Sequence, residues 1–176
     1  MGVTIHYEGR LRDEAAFEAV IARVQSACER HGWESSRFAV PSATLVRIVD
    51  EQEIDYVGPT KGIELMPHPA ADPLAFEFDG SLFVQDFCKT QFAGPALHIA
   101  VVDLLEDIAP FFDALTVIDE GEYWGTHDEA LLISNLEAFD ETLARHLAEN
   151  PDARGPMRLP SGRIIDVYTE RPAAEE

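Results

Sequence analysis

Two short segments concentrate the side chains able to do chemistry. One is Lys89-Thr90-Gln91-Phe92-Ala93-Gly94. The other is Asp119-Glu120-Gly121-Glu122-Tyr123-Trp124-Gly125-Thr126-His127. A lysine beside a helix that starts at Gly94 is a combination that holds an anion, through an ammonium and free backbone N–H groups. Tyr123 and Trp124 offer a flat apolar wall. Glu120, Glu122, His98 and His127 are the groups able to move protons, provided their surroundings set their pKa values apart. Together Lys89, Thr90, Gln91, Gly94, His98, Glu120, Glu122, Trp124 and His127 form the candidate ligand site. The same residues have a plainer reading. Lys89 neutralises Asp119 or Glu120, Trp124 belongs to the core, and Thr126 with Glu129 caps a helix. Both readings stand at this point.

No spacing names a reaction. The chain has no Gly-x-Ser-x-Gly elbow, no P-loop and no Gly-x-Gly-x-x-Gly fingerprint. His68, His98 and His127 could join Glu120 or Glu122 around zinc. However, no two histidines stand at i, i+4, and His-Glu-x-x-His is missing, so no metal is assigned. No motif names a cofactor. Cys28 and Cys88 read as small core residues. Cys88 precedes Lys89, but adjacent strand residues face opposite ways, which takes away the cation that would activate the thiol.

The elements that must position these residues follow from periodicity. Val3, Ile5 and Tyr7 alternate as a strand. Asp13 caps a helix carrying Phe17, Val20, Ile21, Val24 and Cys28, which Gly32 closes. Ser35 to Ala43 reads as a linker, and Leu45 to Val49 as a strand. Ile54 to Val57 and Ile63 to Met66 read as strands paired around a Gly58-Pro59 turn. Asp79-Gly80 between two apolar runs predicts a hairpin. Pro95 opens a second, largely apolar helix, which Pro110 ends. Leu115 to Ile118 is a short strand. Leu132, Leu136, Phe139, Leu143 and Leu147 mark a third helix, stopped at Asn150-Pro151, and Ile164 to Val167 adds a last strand.

This order predicts an α+β fold: a mixed, mainly antiparallel sheet, three helices and one βαβ unit. It is expected to form a single domain over residues 1–171 with a loose tail at 172–176. In the βαβ unit, the run ending at Cys88 and the strand near Val117 are parallel, because a helix-length crossover joins them. That places the two reactive segments at one edge of the sheet.

The chain has 176 residues, with 13 Lys+Arg against 33 Asp+Glu, a net charge of -20. Such a field repels phosphates, so nucleic acid is excluded as an ordinary partner. No apolar run approaches the ~20 residues of a membrane span, and no leader pattern opens the chain. A cytoplasmic location is the expectation.

Lys89-Thr90-Gln91-Phe92-Ala93-Gly94-Pro95, His98, Asp119-Glu120-Gly121, Tyr123-Trp124 and the opening Val3-Thr4-Ile5-His6-Tyr7 resemble a group of uncharacterised bacterial proteins. The likeness covers about a quarter of the chain and implies no activity. Glu122 stands where that group carries a second glycine.

Three functions compete on these observations. The first is a binding module for a small anionic or polar ligand, using Lys89, the Gly94 helix start and Trp124. The second is an acidic, immunity-like partner that neutralises a basic protein. The third is a small metal- or carboxylate-dependent hydrolase.

Overall fold

The computed structural model describes residues 2–169, so the expected tail at 172–176 lies outside the described residues. The fold is α+β, and it is organised around the first strand. β1 (Thr4–Leu11) is the middle of a three-stranded sheet, flanked by β5 (Phe83–Lys89) and β6 (Phe112–Asp119), and is antiparallel to both. β5 and β6 therefore run parallel to each other with β1 between them. They are joined by helix α2 (Pro95–Ile108), which makes a split form of the expected βαβ unit. The register sets rows of side chains across the sheet. Cys88, Ile5 and Asp119 share the inner face, as do Asp86, Tyr7 and Val117. Phe87, His6 and Ile118 share the outer face, as do Gln85, Glu8 and Thr116.

Helix α1 (Glu14–His31) forms as its residues dictate. The Asp13 carboxylate accepts from Ala16 N, and Gly32 takes a left-handed φ of 70° at the other end. Its buried face, Phe17, Val20, Ile21 and Val24, packs in one core with the inner face of β1 and with Val101, Leu104, Leu105 and Ile108 of α2. Helix α3 (Glu129–Glu149) carries Leu132 and Leu136 into a smaller cluster with Val3. Its cap is Asp128, whose carboxylate accepts from Leu131 N, and not the Thr126–Glu129 box expected.

A second sheet contains β2 (Glu34–Val49), β3 (Gln52–Met66) and β4 (Leu74–Phe78), all antiparallel. Three expectations change here. The supposed linker 35–43 is strand. Gly58-Pro59 makes no turn; it lies inside β3, facing a register shift between Val40 and Ala43. Pro41 and Pro59 meet at that shift, where neither is asked for the N–H it lacks. The hairpin turns instead at Asp50 and Glu51, whose φ values of 50° and 64° are both left-handed, as a two-residue turn between twisted strands requires. Likewise, the Asp79 turn does not close a ladder. The Asp79 carboxylate accepts from Ser81 N and Phe83 N, but β4 and β5 belong to different sheets. Every strand pair among the described residues is antiparallel, so in place of one mixed sheet there are two three-stranded antiparallel sheets and two short ribbons.

The C-terminal stretch forms two short ribbons. β7 (Ala153–Arg154) pairs with β10 (Tyr168–Thr169), and β8 (Met157–Arg158) pairs with β9 (Ile164–Ile165). Asp72 ties this stretch to the body of the fold, since its buried carboxylate accepts from Ile164 N at 2.7 Å.

Replacing Asp50-Glu51 by Asn-Gly removes two non-glycine residues from left-handed backbone. The expected outcome is about fivefold slower amide exchange along the distal β2–β3 arm, equivalent to about 1 kcal/mol. Unchanged exchange would refute the turn assignment.

Candidate functional site

The two reactive segments do converge, and β1 is the reason. Val3 and Thr4, at its start, are bonded on both sides. On one side Val3 N donates to Gln91 Oε1 at 2.6 Å and Thr90 N donates to Val3 O at 3.2 Å. On the other side Thr4 N donates to Glu120 Oε2 at 2.9 Å and Glu120 N donates to Thr4 O at 3.1 Å. Beneath this staple runs a polar row. Thr90 Oγ1 lies 2.7 Å from His98 Nδ1, and His98 Nε2 lies 3.0 Å from Asp119 Oδ1. The second contact is close but does not have the geometry of a hydrogen bond.

Asp119 is the anchor of the second segment. Its Oδ1 accepts from Gly121 N at 2.7 Å, and its Oδ2 accepts from Tyr123 N and Trp124 N, each at 2.8 Å. Burial alone would push this carboxyl up. The His98 ring and the N–H groups of Trp124 and Gly121 outweigh it, and the pKa is held below the ordinary carboxylate value. A Cβ at Gly121 would lie 2.7 Å from both His98 Cε1 and Leu132 Cδ1, so only glycine fits there.

A hydroxyl, an imidazole and a carboxylate in line resemble a nucleophile with its base and orienting acid. Burial decides against that use. Thr90 and His98 are both 0% exposed. The row holds two loops in place, and no substrate atom reaches it.

The other expected residues are dispersed. Lys89 does not face Asp119 or Glu120. Its ammonium donates to Asp166 Oδ1 at 2.8 Å and to Ile164 O at 3.1 Å, and Gln91 Nε2 donates to the same Asp166 oxygen. Gly94 starts α2 with φ 85°, ahead of Pro95, as expected. Trp124 is half-buried against the main core. Glu122 takes a left-handed φ of 59° and accepts from Asn135 Nδ2 at 3.1 Å. His127 pairs with Glu106 at 2.9 Å on the surface. His68 accepts from Ala70 N within its own loop. Among the described residues no three His, Cys, Asp or Glu side chains gather as a metal site. Cys88 is fully buried, and burial raises its pKa, so it stays a thiol.

An open groove lies elsewhere, on the outer face of the β5–β1–β6 sheet. It measures about 550 Å³ and lies between that face and the distal part of β2. Four of its side chains are apolar and exposed: Val46 (57%), Ile48 (50%), Phe87 (39%) and Ile118 (64%). Glu8 and Glu120 stand in the same groove, and His6 lies against Phe87 with ring centroids 5.7 Å apart. Only Glu120 of the sequence candidates reaches it.

The β2 arm is fixed over the sheet by two residues that the sequence reading passed over. Gln85 Oε1 accepts from Ile48 N at 2.7 Å, and Gln85 Nε2 donates to Ile48 O at 2.9 Å. Arg47 is buried, donates to Gln85 O and Phe83 O, and lies 5.5 Å from the centre of the Phe83 ring. A buried arginine between exposed Val46 and Ile48 inverts the usual order. No local signal marks it, because the alternation of Val46 and Ile48 about Arg47 reads as apolar in and charged out.

Comparison with known proteins adds no assignment: no family model, curated protein or solved structure matches the chain.

A depressed folded-state pKa gives stability that is complete above the unfolded value, ~3.9 for Asp, and lost as pH falls through the folded one. Asp119→Asn is therefore expected to cost about 1–3 kcal/mol at neutral pH, because the N–H groups of Gly121, Tyr123 and Trp124 lose a charged acceptor. The gap between wild type and variant should close below about pH 4. Urea melts across pH check this, and a pH-independent gap would mean that the charge of Asp119 is not what holds the loop.

Proposed function

We propose that this chain is a binding module for a basic protein partner, and that it takes a cationic, partly apolar segment of that partner in the groove on the outer sheet face. The observation that carries the reading is the lining itself. Val46, Ile48, Phe87 and Ile118 leave apolar surface open beside Glu8 and Glu120. Surface of this kind, rimmed by charge, is characteristic of interaction sites. The net charge of -20 points the same way, because it attracts a basic partner over distance and raises the rate of encounter.

The alternative sites support other readings less well. A small anion would require Lys89, whose ammonium is already held by Asp166 and Ile164 O. A hydrolase would require acid–base groups gathered at one open site, whereas His98 is sealed, Glu122 is held by Asn135, His127 is held by Glu106, and Glu120 alone of them reaches the groove. No helix of the described residues is long and apolar enough to cross a membrane.

The test is an NMR titration with a ten-residue peptide of alternating valine and lysine, and with its glutamate counterpart. The lysine peptide is expected to shift the amides of His6, Glu8, Phe87 and Ile118. Its affinity should fall steeply with salt, and by about tenfold or more in a Phe87→Ser, Ile118→Ser double variant. Shifts scattered over the whole acidic surface, or equal binding by that variant, would sink the proposal.

A further inference from the structure

The two outer edges of the β5–β1–β6 sheet are treated differently. Glu120 N donates to Thr4 O, and Thr90 N donates to Val3 O. With the observed registers, the even residues of β1 therefore bond to β6 and the odd ones to β5. It follows that Phe83, Gln85, Phe87 and Lys89 turn their backbone groups away from β1 on one side. On the other side Asp113, Leu115 and Val117 do so.

On β5 every outward carbonyl is taken. Phe83 O accepts from Asp79 N and Arg47, and Gln85 O accepts from Arg47. Phe87 O accepts from Arg163, and Lys89 O accepts from Asp72 N. On β6 no hydrogen bond reaches the outward groups of Asp113, Leu115 or Val117 among the described residues. An open edge of this kind is a template for another strand. It also borders the groove, since Thr116 and Ile118 of the same strand line it.

We infer that the segment of the basic partner binds by strand addition, hydrogen-bonding to the outward backbone groups of Leu115 and Val117 along β6. This rests on the proposed function and adds its mode. The occupant is an extended stretch in which apolar and cationic residues alternate. Its apolar side chains extend the inner row of half-buried Leu115 and Val117. Its cationic ones lie on the outer face, with their stems over Ile118 and their charges toward Glu8 and Glu120. A second copy of this chain fits less well. Two-fold pairing along β6 would bring two strongly acidic molecules into contact, which their charge opposes. Each copy carries a net charge of -20.

The experiment uses the same valine–lysine peptide in three forms: unmodified, N-methylated on the valines, and N-methylated on the lysines. N-methylation deletes backbone donors and leaves the side chains in place. If a strand is added, one methylated form loses about tenfold or more in affinity and the other keeps it. An antiparallel strand loses with the valines methylated, because residues bonded to Leu115 and Val117 share their face; a parallel strand loses with the lysines methylated. Bound peptide should also slow exchange of the Leu115 and Val117 amides, which in the free protein are expected to exchange faster than those of Thr116 and Ile118. Val117→Pro, which removes an outward donor and none of the β1 ladder, should lose binding, whereas Val117→Ala, which trims the same core packing and keeps the donor, should retain it.

Equal affinity of both methylated forms overturns strand addition while leaving the groove reading intact. Failure of the unmodified peptide to bind overturns both. Protection of Leu115 and Val117 in the free protein overturns the inference as well: if it grows with protein concentration a second copy occupies the edge, and if it does not the chain covers its own edge.

Discussion

The structure depends on β1 being bonded along both of its edges. Its odd residues pair with β5 and its even residues with β6. Because both neighbours are antiparallel to it, they are parallel to each other, and α2 can cross between them. Their C-terminal ends then arrive together beside Val3 and Thr4. The double hydrogen-bonding of those two residues, and the Thr90–His98–Asp119 row below it, follow from that arrival. The same strand, by filling the middle of the sheet, leaves each neighbour one free edge to be dealt with.

The polar row serves the loops. A buried hydroxyl, imidazole and carboxylate are costly unless each has partners. Here Asp119 gathers three backbone N–H groups, so the turn from Gly121 to Trp124 is set by one carboxylate. His98 carries that constraint into α2, and Gly121 leaves room for its ring. Residues that suggest catalysis by type are thus consumed in positioning. What they position includes Glu120, the one sequence candidate that reaches the open groove.

What could be read from the sequence was what local physics decides. Asp13, Gly32 and Pro95 mark helix ends because caps are short-range devices, and each stands where expected. The meeting of the segments at Lys89 and Asp119 follows from connection length alone, since a helix-length crossover makes β5 and β6 parallel. The failures were of two kinds. The Asp50-Glu51 turn carries no glycine although both residues have positive φ, so the usual signal was missing, and Gly58-Pro59 supplied a false one. Side-chain partners were the other kind. Lys89 is bound by Asp166, 77 residues away, which no local pattern reveals. Glu122, where the resembled group has glycine, does take a left-handed φ, so that place keeps its backbone without the residue that favours it.

Edge chemistry and charge belong to one account. A sheet edge left open invites other strands, and natural proteins cover such edges or charge them. β5 is covered by arginine side chains and by Asp72 N. β6 is left uncovered, with exposed Asp113 near one end, on a chain whose net charge is -20. Repulsion of that size opposes contact between like molecules without closing the edge. On the proposed reading, the charge that opposes self-association is also the one that would draw in a strand of opposite sign.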